Sequence, residues 1–185
     1  DSTNDSLYPT DGSLNSIFFE YSPKDISDEG YYKLILRSDT YSKFKNSNRF
    51  IFLSNDIGIA DSIENNLKTK YAYSLGGLNF KGFDYRGVGP IDGNIYLGGN
   101  NFYTSTIGYG SQFLFDKKDN INFRTFITSG SIWGSDYSSN NDFKNRISAG
   151  ISLDILTAVF PVSFSYAIPI EKENDDKVRE FNFTI

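Results

Sequence analysis

Cysteine, histidine and methionine are all absent from this sequence of 185 residues. Without cysteine there is no disulfide framework, no thiolate nucleophile and no thiolate metal site. Without histidine there is no Ser-His catalysis and no imidazole ligand for a metal ion. The sequence therefore predicts a protein that is not an enzyme and that holds no cofactor or metal.

Positive charge and long apolar runs are also scarce. The formal net charge is -5, and because phosphate binding requires a basic face, no nucleic-acid partner is expected. No run approaches the roughly 18 apolar residues of a membrane helix, which excludes a helical span and leaves a membrane β-barrel open. The sequence starts at Asp1 with neither an initiator methionine nor a signal peptide. We expect a piece of a longer protein.

Aromatic residues are what the chain has in abundance. They make up 17% of the sequence, while hydrophobic residues as a whole make up only 38%. Aromatic rings suit strands and interfacial belts, whereas the good helix formers are scarce or absent. The composition predicts an all-β chain.

Eight segments alternate between apolar and polar residues with a period of two, which is typical of strands. By number they are 14–21, 31–41, 50–60, 101–113, 121–133, 146–155, 162–168 and 178–185. In the fifth segment, Phe126, Thr128 and Gly130 share the polar face. A soluble sandwich also alternates, but its apolar face forms the core, whereas the apolar face of a membrane barrel contacts lipid.

The connections between these segments alternate in length. Tight turns are predicted near residues 43–48, 116–120 and 156–161, with longer polar loops elsewhere. Outer-membrane barrels combine short periplasmic turns with longer external loops, so we predict an antiparallel transmembrane β-barrel. An eight-stranded barrel is filled by its own side chains, so a long inserted loop requires a wider barrel. The roughly eight strands would then form half of it.

The longest loop, about residues 61–93, exceeds what a compact domain normally leaves without structure. Residues 76–99 hold eight of the sixteen glycines, interleaved with aromatic and cationic side chains. Glycine serves where the backbone needs a positive φ or where another surface approaches it closely. We predict that this loop folds inward and packs on the barrel wall, with an undocked surface loop as the alternative.

The loop before the last segment is acidic. Residues Glu171 to Asp176 offer carboxylate oxygens that suit a divalent cation. Because charge runs are usually solvated, we predict a solvated external loop and keep a cation site as the alternative.

Several short, different motifs lie along the chain. They are Tyr8-Pro9-Thr10-Asp11-Gly12, Gly76-Gly77, Phe80-Lys81-Gly82-Phe83, Gly89-Pro90, Leu97-Gly98-Gly99-Asn100, Phe164-Ser165-Tyr166-Ala167 and Phe181-Asn182-Phe183. In order and spacing the set resembles the outer-membrane-protein assembly factors of the bacterial surface antigen superfamily, whose barrel has sixteen strands. The resemblance implies that residues 1–185 are the C-terminal half of such a barrel. The first half and the N-terminal periplasmic repeats would be absent.

The resemblance also implies a docking site for the loop motif. In the family, a motif arginine docks on a wall that offers an aromatic residue and, two residues on, an aspartate. By position the cation here is Lys81 and the wall is Phe126 to Gly130, with Thr128 in place of the aspartate. A bidentate ion pair then becomes a contact of Lys81 with a hydroxyl or a ring. We expect docking to rest on the packing of Phe80 and Phe83.

The resemblance places the expected mechanism in the last segment. In the family, the seam between the first and last strands is weakly closed, and incoming barrel precursors pair an edge strand there by β-augmentation. The predicted seam strand here comprises Val178, Glu180, Phe181, Asn182, Phe183 and Ile185. Because the family continues to a terminal aromatic residue, we expect either a truncated end or a short closing strand.

The resemblance implies an integral protein of the Gram-negative outer membrane that folds and inserts other outer-membrane proteins. Its expected partners are the lipid bilayer, unfolded outer-membrane proteins and, through the absent periplasmic part, lipoproteins of an assembly complex. Two alternatives stay open, namely a two-partner secretion or translocation pore of the same superfamily and a plain porin-like channel. As an isolated chain with two unpaired edges, the 185 residues should aggregate.

Overall fold

The chain forms one large antiparallel sheet, described by a computed structural model for residues 1–26, 29–115, 118–139, 141–156 and 160–185. Its strands are β1 Gly12–Ser22, β2 Tyr31–Lys43, β3 Arg49–Ser62, β4 Gly82–Phe83, β5 Ile91–Asp92, β6 Ile95–Tyr96, β7 Asn101–Phe115, β8 Lys118–Trp133, β9 Arg146–Leu156, β10 Pro161–Glu171, β11 Val178–Arg179 and β12 Phe181–Thr184. A single 3₁₀ turn, Lys24–Ile26, follows β1. The predicted all-β fold is confirmed.

The sheet has eight strands in the order β1-β2-β3-β7-β8-β9-β10-β12. Each strand pairs antiparallel with its neighbour in this order. The remaining strands form two-stranded ladders, β4 with β11 and β5 with β6. The order leaves β1 and β12 as the two edges of the sheet. In the part of the chain that the structure describes, no helix is long and apolar enough to cross a membrane.

The two faces of the sheet have opposite character. The outer face exposes large apolar side chains, among them Ile17, Phe19, Tyr21, Leu36, Ile51, Leu53, Ile57, Ile59, Ile107, Ile127, Ile151, Phe164, Tyr166, Ile168, Phe181 and Phe183. The inner face buries polar ones, among them Thr104, Gln112, Asn122, Thr128, Ser148, Ser152, Ser165 and Asn182. A soluble sandwich would bury the apolar face, so this arrangement fits a lipid-facing barrel wall.

Aromatic rings on the inner face lie over glycines of the neighbouring strand. Phe52 is the register partner of Gly108, and Phe50 is the partner of Gly110. A Cβ at Gly108 would lie 2.4 Å from the Phe52 ring, and one at Gly110 would lie 2.2 Å from the Phe50 ring. The glycines therefore leave space for rings to lie flat along the wall.

The main apolar core lies between the inner face and the segment that joins β3 to β7. The buried residues of this core are Tyr31, Ala60, Leu67, Tyr73, Leu75, Phe80, Phe83, Val88 and Ile132. The Tyr73 hydroxyl donates to the carbonyl oxygens of Leu34 and Ile59, each at 3.2 Å. This hydroxyl anchors the long segment to β2 and β3.

Long and short connections lie at opposite ends of the sheet. The predicted tight turn at 43–48 is confirmed, since β2 ends at Lys43 and β3 begins at Arg49. The other two predicted turns, 116–120 and 156–161, have their central residues 116–117 and 157–159 outside the described residues. The long connections follow β1, β3, β8 and β10, all at the other end.

The final segment differs from its prediction. Alternation predicts one strand over 178–185, but the structure divides it at Glu180 into β11 and β12. β12 pairs with β10 in the sheet, whereas β11 pairs with β4 of the long connection. Period-two alternation continues through Glu180, so the pattern alone does not reveal the change of partner.

Candidate functional site

The connection between β3 and β7 is an ordered layer on the inner face of the sheet. The amide of Tyr73 donates to the Gly99 carbonyl at 2.9 Å, and the Gly99 amide returns the bond at 3.1 Å. A second bridge joins Leu75 to Val88. These pairings bring the two ends of the glycine motif together above the wall.

An asparagine shapes the start of the motif. The Gly76 amide donates to Asn79 Oδ1 at 2.9 Å, and Asn79 Nδ2 donates to the Ser74 carbonyl at 3.0 Å. At Gly76 the φ angle is 122°, and a Cβ would lie 2.0 Å from the Asp84 carbonyl oxygen. Short polar side chains that bond to nearby backbone are typical of turns. Sequence reasoning missed Asn79, although its place between Gly77 and Gly82 is a turn signal.

Two phenylalanines fix the motif to the wall. Phe80 and Phe83 are fully buried, with ring centroids 4.7 Å apart. A Cβ at Gly130 would lie 3.3 Å from the Phe80 ring, so the wall glycine provides the contact surface for that ring. At Gly82 the φ angle is 99° and a Cβ would lie 3.1 Å from Ser148 Cβ. Glycine at position 82 lets the motif backbone lie directly on the wall.

Lys81 points at the wall and makes an aromatic contact. Its Nζ lies 5.4 Å from the centroid of the Phe126 ring, within the range of a cation–π interaction. The Thr128 hydroxyl is instead bonded to the Thr106 hydroxyl at 2.9 Å. Among the described residues, Lys81 has no hydrogen bond or ion pair. The aromatic member of the predicted wall therefore contacts the motif cation, and the threonine does not.

The surroundings of Lys81 disfavour its charge. Burial lowers the pKa of Lys81, the nearby Asp154 carboxylate opposes that shift, and the Arg124 guanidinium adds to it. Arg124 Nε lies 3.6 Å from Asp154 Oδ2, and its guanidinium carbon lies 5.6 Å from the Phe52 ring centroid. These wall residues line a cavity of about 200 Å³ together with Lys81 and its loop neighbours Leu78 and Asn79. On this part of the inner face, Lys81 lies over the Phe126 ring and Arg124 lies over the Phe52 ring.

The remaining motif residues lie close to β8 or within the loop itself. The Gly77 amide donates to the Phe83 carbonyl at 2.8 Å, and the Pro90 carbonyl accepts from the Leu97 amide at 3.0 Å. A Cβ at Gly89 would lie 2.7 Å from Ile132 Cγ2. The predicted motif residues are thus assembled into one layer.

A buried ion pair lies beside this layer and was not predicted. Arg146 Nε is 3.0 Å from Asp176 Oδ2, and Arg146 Nη2 is 3.1 Å from Asp176 Oδ1, which makes the pair bidentate. Both side chains are almost fully buried. The Glu173 amide also donates to Asp176, at 2.8 Å. The prediction that residues 171–176 form a solvated loop is therefore wrong for Asp176.

The sequence did contain one signal for this pair. Arg146 begins the polar face of its segment, and an arginine on a buried face requires a carboxylate. In the part of the chain that the structure describes, no cluster of three or more aspartate or glutamate residues is arranged to hold a metal ion.

The last part of the chain contacts both the loop and the sheet edge. In β11, Val178 pairs with Phe83 and Arg179 pairs with Gly82. In β12, Phe181 and Phe183 are exposed on the outer face, and the Phe183 ring centroid lies 5.1 Å from that of Phe164.

The other predicted seam residues are distributed around the edge. Asn182 is buried on the inner face, while Val178 and Ile185 are exposed. Glu180 lies between β11 and β12, where its carboxylate accepts from the Tyr166 hydroxyl at 2.5 Å. The predicted seam residues therefore do not form one strand, because Val178 belongs to β11 and the residues from Phe181 to Phe183 belong to β12.

Comparisons with known proteins agree with this architecture. The Omp85 superfamily domain matches residues 1–185. A crystal structure of BamA from Haemophilus ducreyi lacking POTRA domains 1–3 is similar to the chain, with a TM-score of 0.88 and 25% sequence identity. That match covers 100% of this chain and 40% of the BamA chain. The chain therefore belongs to the Omp85 superfamily and is an integral β-barrel protein of the Gram-negative outer membrane.

Proposed function

We propose that this chain is the seam-bearing part of an outer-membrane assembly factor, which folds and inserts other β-barrel proteins without chemical catalysis. Membership of the Omp85 superfamily and the likeness to BamA support an assembly-type role. Because the chain spans 40% of the BamA chain that it matches, its substrates and partners are part of the proposal.

One observation carries the proposal, namely the departure of the chain from the wall just before the last strand. The ladder of β12 with β10 begins at Phe181 opposite Tyr166, whereas Val178 and Arg179 pair with β4 of the loop. On its other side, β10 pairs with β9 from Pro161 to Glu171. The side of β12 that faces away from β10 carries the backbone donors and acceptors of the proposed seam. An incoming strand can pair with such an edge by β-augmentation.

The outer face supports an environment of lipid. Its exposed isoleucine, leucine and aromatic side chains form an apolar surface across the strands, which water would disfavour and a bilayer would accept. A precursor that pairs with the edge would enter beside Phe181 and Phe183. Its own apolar face would then meet lipid as soon as it paired.

The docked loop is proposed to stabilise the inner wall next to the seam. The connection between β3 and β7, which is residues 63–100 rather than the predicted 61–93, would form the inward-folding loop of a single partial barrel domain, residues 1–185, with Gly76 to Pro90 as its motif. The buried rings of Phe80 and Phe83 and the contact of Lys81 with Phe126 support this role. Lipoprotein partners of an assembly complex would bind the periplasmic part that precedes the barrel.

Depletion in the source bacterium tests the proposal. When the protein that carries this chain is depleted, the folded amounts of many outer-membrane barrels should fall together, while periplasmic proteins stay unchanged. A fall in the secretion of one soluble partner alone would instead indicate a translocation pore. Unchanged barrels, together with stable ion-selective conductance of the purified protein, would indicate a plain channel.

A further inference from the structure

The docked loop, which connects β3 to β7, ends directly against the end of β8. A Cβ at Gly99 would lie 2.6 Å from the Trp133 carbonyl oxygen, so glycine at position 99 permits this contact. At the next residue, the Asn100 carbonyl accepts from the Ala60 amide at 2.7 Å, and the Asn100 amide donates to the Gly134 carbonyl at 3.4 Å. The end of the docked loop is therefore joined to β3 on one side and to the β8–β9 loop on the other.

One carboxylate oxygen of the β8–β9 loop accepts hydrogen bonds from both ends of the docked loop. The Leu67 amide donates to Asp136 Oδ2 at 2.7 Å, and Asn100 Nδ2 donates to the same oxygen at 3.2 Å. Leu67 lies near the start of the docked loop, and Asn100 is its last residue. Hydrogen bonds to an ionised carboxylate are stronger than those between neutral groups. Asp136 thus fastens the two ends of the docked loop at one point.

The two donors are buried, whereas the acceptor is reached by solvent. Leu67 is 1% exposed and Asn100 is 7% exposed, but Asp136 is an exposed residue. Asn100 Oδ1 is buried and has no hydrogen-bond partner among the described residues. In that part of the chain, the bond to Asp136 is therefore the only hydrogen bond of the Asn100 side chain. Its loss would leave the whole amide group of Asn100 unpaired, which is costly for a buried polar group.

The glycine motif lies in the chain between the two ends that Asp136 holds. Next to those ends, Tyr73 and Gly99 exchange two backbone hydrogen bonds. Further along, Leu75 bridges to Val88 of the motif. Because these pairings follow one another along the docked loop, separation of its ends removes support from the bridge of Tyr73 with Gly99 first.

We propose that Asp136 is a positioning residue that holds the docked loop in place by fastening both of its ends to the β8–β9 loop. This loop lies at the end of the sheet that carries the long connections, which is the external end in outer-membrane barrels. A motif inside the lumen is thus held by an external residue that solvent reaches. The inference rests on the proposed assembly function for its consequence, and it adds a residue outside the motif on which docking depends.

Hydrogen exchange of the full-length protein in a bilayer tests this positioning role. Asp136→Ala should speed exchange roughly fivefold to tenfold at the Leu67 amide and also at the Tyr73 and Gly99 amides, because the loop opens more often without the bonds to the carboxylate. Asp136→Asn keeps an oxygen that can accept both bonds, so exchange should stay within about threefold of the unmodified protein. Tyr137→Ala is the matched control, because Tyr137 is the exposed neighbour of Asp136, and it should leave these amides unchanged.

Three outcomes of the exchange measurement would overturn the role of Asp136. Acceleration confined to the Leu67 amide would show a purely local bond. Equal acceleration at amides of β2 and β3 would show that the whole wall loosens rather than the docked loop. Equal acceleration by Asp136→Asn and Asp136→Ala would show that the acceptor oxygen is not what holds the loop.

Assisted folding of another barrel protein gives a functional readout. In liposomes that contain the full-length protein, Asp136→Ala should reduce the acceleration of folding, and Asp136→Asn should restore it. An undiminished acceleration in Asp136→Ala would overturn the dependence of assembly on the fastened loop. Exchange as predicted, in a protein that does not accelerate folding at all, would overturn the proposed function and leave Asp136 as a positioning residue of the loop.

Discussion

At the scale of single residues, packing outweighs charge in holding the loop. Lys81 gains a cation–π contact worth about 0.5–2 kcal/mol, but burial costs it hydration, as its lowered pKa indicates. Full burial of a phenylalanine contributes about 1.5–3 kcal/mol, and its removal from a packed site costs more because a cavity is left. Phe80 and Phe83 are both fully buried. The rings are therefore the main anchors, and Lys81 is a weak one.

Hydrogen exchange at the backbone amides of the loop measures how much the rings and the lysine each contribute to docking. Phe83→Ala should destabilise docking by about 3–5 kcal/mol and speed hydrogen exchange at Gly77 and Asp84 by roughly a hundredfold or more. Lys81→Met should change the docking free energy by less than about 1 kcal/mol. Leu78→Ala is the matched control, because Leu78 is exposed in the same loop. Equal acceleration by Lys81→Met and Phe83→Ala would show that the cation carries the docking.

The buried ion pair predicts a second residue-level effect. Arg146→Met leaves the Asp176 carboxylate buried without its cation and should lower the free energy of unfolding by about 3–5 kcal/mol. Because Arg146→Met with Asp176→Leu removes both charges, the double variant should recover most of that loss. Denaturant unfolding in detergent measures both.

The control for the Arg146→Met prediction is an ion pair that is accessible to solvent. Arg37 contacts Asp56 across β2 and β3, with about half of the Arg37 side chain exposed, and Arg37→Met should cost less than about 1 kcal/mol. A loss at Arg146 no larger than that at Arg37 would contradict the importance of the buried pair.

At the scale of elements, the last strand divides beside a proline of its neighbour β10, since the Ala167 amide donates to the Glu180 carbonyl and the next amide on that side would belong to Pro169. Pro169→Ala restores one donor facing the last strand, and one backbone hydrogen bond is worth about 1 kcal/mol, or roughly a fivefold shift in an equilibrium. Continuing the register of Tyr166 with Phe181 would place Ile168 opposite Arg179. Cross-linking of Ile168→Cys with Arg179→Cys should rise by about that factor in the Pro169→Ala background. Pro9→Ala is the control, because Pro9 precedes β1 at the opposite edge of the sheet. An unchanged yield would mean that Pro169 does not limit the ladder.

The sequence pattern predicted the strands of the sheet, but it did not predict that residues 178–179 pair with β4 of the loop. Alternation is a local signal, so it located seven strands of the sheet, merged β11 and β12 into the eighth, and assigned Phe126 and Thr128 to the inner face. The pairing of Val178 with Phe83 joins residues far apart in the chain, and nothing local marks the change at Glu180. The buried role of Asp176 was hidden for the same reason, because its acidic neighbours suggested solvent.

At the scale of the whole molecule, the fold is inverted relative to a soluble domain. Apolar side chains cover the outside, and polar ones line the inside, where a layer of loop residues covers them. In the sheet order, β1 and β12 are the two edge strands. Lipid and the loop therefore contact opposite faces of the sheet, and the proposed seam lies at the β12 edge.

The most direct measurement is the folding rate of an unfolded outer-membrane barrel protein added to liposomes that contain the full-length protein. Folding should be much faster than in empty liposomes, and the acceleration should be lost with Phe80→Ala and Phe83→Ala combined but retained with Leu78→Ala. Folding no faster than in empty liposomes would contradict the assembly function. Acceleration that survives in the double variant would contradict the role of the docked loop.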